Sequence, residues 1–181
     1  MKTLLISPFS NSDIRDWPAG HFAELIRLVA EPRTDVEVRV VGTDSQRLRA
    51  NEIVRAFDAS RVHNDCGRSS WDVVVGLIRS ADCVVGNNSG IAHLSAHLGV
   101  PTVCVFGGSH QRREWHPSGP RTTVLSRVIA CSPCHFDHND GCPYDKACLR
   151  QITPHEVAAA ALAYLDGRLA EGLGDQAELA M

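Results

Sequence analysis

The small polar residues within the stretch VVGNNSGIAHL, residues 84–94, are the ones that most clearly point to chemistry. An apolar, β-branched run that ends in Asn88, Ser89 and Gly90, with helical spacing after it, predicts a buried strand that turns directly into a helix. The first N–H groups of such a helix have no intrahelical partner, and the positive end of the helix dipole lies beside them. Because phosphate oxygens bind N–H groups of this kind, the stretch predicts a phosphate or nucleotide site.

Each side chain in this turn has two interpretations. Asn88 or Ser89 can cap the helix, and Gly90 lets a ligand approach the backbone closely. His93 follows Ser89 by four residues and so shares its side of the helix. The sequence leaves open whether His93 contacts the ligand or completes the packing.

Two other polar loops carry candidate ligand contacts. Arg15, in the loop of residues 10–18, can bind a phosphate through its forked guanidinium, or it belongs to an ordinary surface turn. The loop GTDSQ, residues 42–46, has side chains suited to ribose hydroxyls, with Gln46 among them. Its alternative is a helix N-cap formed by Asp44 or Ser45.

A further loop, residues 107–117, places two glycines directly after an apolar run and then two arginines. The paired glycines are Gly107 and Gly108, and the arginines, Arg112 and Arg113, would complete a cationic rim around the same pocket. We expect all of these loops to meet, because parallel sheets bind ligands at the carboxyl ends of their strands.

Apolar β-rich runs alternate with helical patterns along the chain, which is typical of βα units. The pattern predicts one α/β domain with a doubly wound parallel sheet that is covered on both faces. The predicted strands are residues 3–9, 36–41, 61–63, 81–86, 102–106 and 122–125, and the predicted helices are residues 19–29, 71–78, 88–98 and 153–165. The domain is expected to cover residues 1–166, followed by a tail, residues 167–181, that is either a frayed helix or disordered.

Composition limits the classes of partner. The chain has 181 residues, 44% of them hydrophobic, which is enough to bury one core. A net charge of −3, with both signs interspersed, gives no attraction for a polyanion, so nucleic acid is not expected as a partner. The apolar run at the N-terminus is too short for a signal or a membrane span, so we expect no membrane insertion and a cytoplasmic protein.

Four of the seven cysteines lie in one polar loop, residues 128–150, with the spacing C-x2-C-x7-C-x5-C. Four thiolates so close in sequence can hold zinc or a single iron as a structural, tetrahedral site, which predicts one metal ion on Cys131, Cys134, Cys142 and Cys148. The alternatives are reduced thiols, a redox pair in the C-x2-C alone, or substitution of one ligand by His135 or His138. The other three, Cys66, Cys83 and Cys104, are predicted not to be ligands, and the last two to be small core residues.

Taken together, several motifs resemble glycosyltransferase family 9, the heptosyltransferase-like enzymes. They are RDWPAGHF at residues 15–22, VGNNSGIAHL at residues 85–94, GVPT at residues 99–102 and FGGS at residues 106–109. The resemblance covers the chain to about residue 165 and corresponds to the C-terminal half of the family. It implies a GT-B architecture of two Rossmann-like domains, of which this half binds a nucleotide-diphospho-sugar, typically ADP-heptose.

The resemblance also implies roles for single residues. Arg15 corresponds to the basic residue that meets the donor phosphate, Ser89 and Gly90 to the amides under the pyrophosphate, and His93 to the motif histidine. Ser109, next to Gly108, corresponds to a hydroxyl residue that lines the phosphates. Asn88 stands where the family usually has Asp, and Gln46 where a Glu binds the ribose, so each replaces a carboxylate by an amide. A similar cysteine loop holds one iron in the autotransporter heptosyltransferases.

The acceptor half of the GT-B architecture, which would supply the general base, has no counterpart in these residues. We therefore expect sugar transfer with a partner subunit that supplies the acceptor domain, or with a second copy in a homo-oligomer. Alternatively, these residues are a fragment of a longer protein. The alternative is a catalytically inactive nucleotide-binding or assembly module that keeps the donor-domain fold and its metal.

Overall fold

Parallel strands in the order β3-β2-β1-β4-β5-β6-β7 form the centre of the computed structural model, which describes residues 1–168 and 174–175. The strands are β1 (Lys2–Ser7), β2 (Val36–Val40), β3 (Val62–Asn64), β4 (Cys83–Asn87), β5 (Thr102–Phe106), β6 (Thr122–Ser126) and the two-residue β7 (Gly174–Asp175). The predicted doubly wound α/β sheet is confirmed, and its first six strands lie where the sequence placed them.

The helices are α1 (Ala19–Ala30), α2 (Arg47–Val54), α3 (Trp71–Ser80), α4 (Gly90–His97), α5 (Arg112–Trp115), α6 (Ala147–Arg150) and α7 (Pro154–Leu165). The predicted start of the last helix is confirmed: Thr153 Oγ1 accepts a bond from the Glu156 N–H, and the Glu156 carboxylate accepts one from the Thr153 N–H at 2.8 Å. Among the helices described, none has the length and apolar character that crossing a membrane requires.

The sheet separates two apolar layers, one on each face, because successive side chains of a strand point to opposite faces. Leu4 and Ile6 of β1 pack in the larger cluster with residues of α1 and α7, whereas Leu5 between them packs on the other face with Ile78 of α3. Alternate side chains of a strand point to opposite faces, so β1 serves both layers. The tail predicted from residue 167 falls largely on residues 169–173 and 176–181, which lie outside the described residues.

The strand order reverses beside β1. From β1 the chain proceeds outward through β2 and β3, then returns to place β4 on the other side of β1, with Ile6 opposite Val85 and Ser7 opposite Gly86. The connections on the two sides therefore diverge and leave a crevice beyond the carboxyl ends of β1 and β4. The anion-binding turn predicted after β4 opens into this crevice.

Candidate functional site

An open cavity of about 480 Å³ lies at the carboxyl edge of the sheet, where the strand order reverses. Segments that follow β1, β2, β3 and β4 contribute to its walls. Its lining includes Phe9, Ser10, Asn11, Gly42, Thr43, Asp44, Gln46, Ser69, Trp71, Val74, Ser89, Gly90 and Ile91. Three of the predicted donor-binding residues, Gln46, Ser89 and Gly90, therefore line one cavity.

The N-terminus of α4 forms one end of this cavity. Ser89 is the N-cap, with extended backbone, and its carbonyl accepts the His93 N–H at 3.1 Å. The Ser89 side chain makes no cap hydrogen bond, and its buried Oγ has no partner among the described residues. The N–H groups at the start of α4 are thus left for an acceptor from outside the helix.

Gly90 leaves the space above these N–H groups empty. A Cβ built on Gly90 meets no heavy atom within 4 Å, counting atoms beyond its chain neighbours and the helix backbone. Gly86 is different, because a Cβ there would lie 2.9 Å from the Ser7 carbonyl oxygen and force β1 and β4 apart. Gly90 therefore leaves room for a ligand, and Gly86 allows β1 and β4 to lie close together.

Gln46 reaches the cavity from the turn after β2, but its amide oxygen is already engaged. It accepts the Thr43 N–H at 2.9 Å and so caps the short 3-10 helix Asp44–Gln46. The N-cap is Thr43, so the alternative that gave this role to Asp44 or Ser45 is wrong. The Gln46 Nε2 group donates a long hydrogen bond to the Ser10 carbonyl at 3.5 Å.

Arg15 lies behind the rim of the cavity. It ends the 3-10 helix Asp13–Arg15, and its Nη2 donates to the Oδ1 of Asn11, which lines the cavity. The Arg15 Nε is buried without a partner among the described residues. Arg15 is therefore connected to the cavity through Asn11.

Asn88 and His93 pair with each other beside the cavity. Asn88 is buried, with 5% of its surface exposed, and its Oδ1 lies 2.9 Å from His93 Nε2. Burial, and then the neighbouring His116, lower the pKa of His93, while a bond to the Trp115 backbone acts in the opposite direction. A neutral imidazole at pH 7 follows, held between α4 and α5.

Gly108 and Ser109 belong to a different part of the edge. The Gly108 N–H donates to Cys148 Sγ at 3.2 Å, and the buried Ser109 hydroxyl pairs with His110 Nδ1 at 2.9 Å. A smaller cavity of about 130 Å³ adjoins Gly108, between the ends of β5 and β6 and the cysteine loop. The structure does not bring these two residues to the lining of the larger cavity.

The loop after β1 is fixed by buried polar groups that the sequence did not identify. The Asp16 carboxylate, 3% exposed, accepts from the Ser10 N–H at 2.7 Å and from Arg49 Nη2 at 2.9 Å. Asn87 donates to the Pro8 carbonyl at 2.7 Å and accepts the Trp17 N–H at 3.0 Å. These bonds tie the wall that carries Ser10 to the end of β4.

The cysteine loop packs against the same edge through its backbone. The N–H groups of Cys134 and His135 donate to the carbonyls of Gly108 and Ser109 at 3.0 and 2.9 Å. All seven cysteines are free thiols and form no disulfide. Within residues 1–168, no three His, Cys, Asp or Glu side chains are grouped so that they could hold a metal ion.

The remaining cysteines behave as core residues. Cys83 and Cys104 are fully buried in β4 and β5, which confirms that prediction. Cys66, which was not predicted to be a core residue, is buried as well, and burial raises the pKa of its thiol to about 11. A thiol with so high a pKa stays protonated at neutral pH and is a poor metal ligand.

Comparison with known proteins identifies the family of this chain. The model of Glycosyltransferase family 9 (heptosyltransferase) matches residues 1–145. Lipooligosaccharide heptosyltransferase 2 of Campylobacter jejuni is 28% identical over 78% of this chain and 44% of its own length. The chain thus spans under half the length of this curated relative.

Two solved structures have the same fold. The Escherichia coli ADP-heptose lipopolysaccharide heptosyltransferase II gives a TM-score of 0.76 at 22% identity, over 92% of this chain and 47% of that one. The dodecameric iron-containing heptosyltransferase TibC, in complex with ADP-D-beta-D-heptose, gives a TM-score of 0.63 at 18% identity. The match covers 92% of this chain and 45% of the TibC chain. Since the family model covers most of the sequence, this chain belongs to glycosyltransferase family 9, the heptosyltransferase family.

Proposed function

We propose that this chain is the donor-binding half of a glycosyltransferase and binds a nucleotide-diphospho-sugar, with ADP-heptose as the first candidate. The observation that carries the proposal is the open cavity whose end is formed by the N-terminus of α4, with nothing above Gly90. The ADP-heptose named for two structures of the same fold supports the choice of donor.

The diphosphate binds at the amides of Gly90 and Ile91, where unpaired N–H groups and the helix dipole favour negative charge. Arg15 adds positive charge behind the rim. During transfer the bond between the sugar's anomeric carbon and the diphosphate oxygen breaks, and its electron pair leaves on the diphosphate. The same amides stabilise that developing charge.

The acceptor hydroxyl must lose a proton as it bonds to the sugar. Among the described residues that line the cavity, Asp44 is the only carboxylate, and it lies in the turn after β2. Following the family resemblance, we assign the base to an acceptor domain outside these 181 residues, which a partner subunit or a second copy of this chain is one way to supply.

A catalytically inactive nucleotide-binding or assembly module is the second candidate. It is favoured by the two amides at Gln46 and Asn88, of which the first caps a backbone N–H and the second pairs with His93. Under this interpretation no sugar is transferred, and the chain keeps either the nucleotide pocket or only the fold.

We further propose one structural metal ion, zinc or iron, on Cys131, Cys134, Cys142 and Cys148. The chemistry of the donor set supports it, because four thiolates in one loop suit a thiophilic ion and leave no position open for substrate. Two of the sulfurs already accept backbone N–H groups, Cys148 from Gly108 and Cys142 from Lys146, each at 3.2 Å. Hydrogen bonds of this kind stabilise metal-bound thiolates.

We also propose a cytoplasmic location. The free thiols of the seven cysteines support it, since reducing compartments keep cysteines reduced.

The test of donor binding is a thermal-shift and calorimetry series with ADP-heptose, GDP-mannose and UDP-glucose. A ligand that binds only the folded state raises the melting temperature, and the shift grows with the logarithm of its concentration above the dissociation constant. We expect ADP-heptose to give the largest shift. If none of the three changes the melting temperature or releases heat, the donor-binding proposal is wrong.

A further inference from the structure

Trp71 is unusually exposed for its size. It is the first residue of α3, and 60% of its surface is accessible to solvent. The preceding residue, Ser70, is the N-cap and accepts the Val73 N–H at 3.4 Å, which fixes where the helix begins. Within the described part of the chain, no aromatic ring or cation packs on the indole.

The exposed indole lies on the wall of the cavity. Trp71, Val74 and Ile91 give this wall an apolar surface, whereas Thr43 and Asp44 of the turn after β2 are polar. The α4 amides proposed for the diphosphate end the same cavity. A ligand held there by its diphosphate extends past both kinds of wall.

A nucleobase requires this combination, because its faces are apolar and its edges carry hydrogen-bonding groups. Aromatic side chains bind bases by stacking, and a free indole offers the largest ring surface of any side chain. Asp44 and Ser69, which also line the cavity, supply polar groups for an edge.

We propose that Trp71 is the stacking platform for the nucleobase of the donor. The inference rests on the proposed function and deepens it. The adenine of the proposed donor suits this platform, because its two fused rings match the area of the indole and stacking covers more of both than a single pyrimidine ring does.

The test uses Trp71→Ala and Trp71→Phe, with ADP, UDP and inorganic pyrophosphate as the probes. We expect Trp71→Ala to weaken ADP binding about tenfold or more, as loss of a stacked base does, and to leave pyrophosphate binding unchanged. Trp71→Phe is expected to keep most of the affinity. The preference of the wild type for ADP over UDP should shrink in Trp71→Ala.

Trp115→Ala is the matched control. Trp115 is exposed to a similar extent, 55%, but it lies in α5 and does not line the cavity. Its loss is expected to leave ADP affinity unchanged. Fluorescence adds a direct signature, since the chain has only three tryptophans. ADP should quench the emission of the wild type and of Trp115→Ala, but not that of Trp71→Phe.

Equal ADP affinity in the wild type and Trp71→Ala would overturn the inference while the donor-binding proposal stands. The stacking role is also wrong if Trp71→Ala changes the native mass but not ADP affinity, since Trp71 would then belong to a subunit contact. If the wild type binds neither ADP nor pyrophosphate, both proposals fail together.

Discussion

A side chain at position 90 would project into the space above the first N–H groups of α4. Because a Cβ there meets no heavy atom within 4 Å, Gly90→Val is expected to fold normally and to block the approach of a diphosphate. Affinity for ADP should fall at least about tenfold, or about 1.4 kcal/mol, with little change in melting temperature. Calorimetry with ADP measures the first quantity and thermal unfolding the second.

The chain offers a matched control for this change. Gly20 also lies in the first turn of a helix, α1, and a Cβ there likewise meets nothing within 4 Å, but it does not line the cavity. Gly20→Val should bind ADP like the wild type. Undiminished ADP affinity in Gly90→Val would place the diphosphate elsewhere.

The lowered pKa values of His21 and His93 predict how the stability of the fold depends on pH. Burial, and then the charge of Arg150, lower the pKa of His21, whose ring packs edge-on against Trp17 with centroids 5.1 Å apart. Burial and His116 lower the pKa of His93. The unfolded chain therefore binds protons at both sites more readily than the folded chain, and stability is lost as the pH falls below the ordinary histidine value of 6.5.

The variant that checks this is His21→Gln combined with His93→Gln. Between about pH 7 and about pH 5, above the ordinary range of carboxylates, its melting temperature should change less than that of the wild type. His155→Gln removes an exposed histidine of α7 and should keep the wild-type change. Equal pH dependence in all three proteins would contradict the assignment.

At the level of elements, the sequence predicted what a local pattern encodes. All residues of β4 and β5 are buried, so each is a short apolar run that periodicity identifies. Helix α2 was not predicted, because its eight residues bury only Ala50 and Ile53 and show no clear apolar stripe. The turn after β4 was predicted because strand, turn and helix start are contiguous in the sequence.

The rest of the site depends on contacts between distant segments. Trp71 fits the apolar pattern of a helix, and nothing in that pattern shows that its ring faces a cavity instead of the core. Asp16 and Arg49 are 33 residues apart, and only the packing of α2 beside the loop after β1 brings them together. Gly108 and Ser109 directly follow a strand, as expected, yet the cysteine loop covers them.

The cysteine loop gives a prediction that belongs to an element. It contacts the loop after β1 through bonds from Ser12 Oγ to the Asp137 carbonyl and from the Asn139 N–H to Asp13 Oδ1 at 2.9 Å. If a metal organises this loop, replacing Cys131 and Cys134 by Ser should release one ion per chain and lower the melting temperature by several degrees. Elemental analysis and thermal unfolding measure the two effects.

Cys104→Ala is the control for the cysteine pair, since it removes a buried thiol of β5 that lies outside the loop. It should keep the metal content of the wild type. Reduced wild-type protein that was never exposed to chelator and contains no zinc or iron would refute the metal proposal. The elemental analysis also decides between the two ions, which four thiolates bind in the same tetrahedral geometry.

On the scale of the whole molecule, donor binding and transfer are separable. The chain corresponds to 47% of the length of the E. coli heptosyltransferase II structure, and the described lining of its cavity contains one carboxylate, Asp44. The amides of α4 can stabilise a leaving diphosphate, but transfer also requires a base beside the acceptor hydroxyl. We therefore expect the 19.7 kDa chain to bind ADP-heptose as a monomer without releasing ADP.

Release of ADP should accompany a larger assembly. Tagged protein purified from its native cells is separated by size with light scattering, and each fraction is assayed for ADP release from ADP-heptose with and without a panel of hydroxyl-bearing acceptors. Acceptor-dependent release confined to fractions heavier than the monomer would support a partner subunit or a homo-oligomer. Acceptor-dependent release by the monomer would show that the base lies within this chain, and binding without release in every fraction would favour the inactive module.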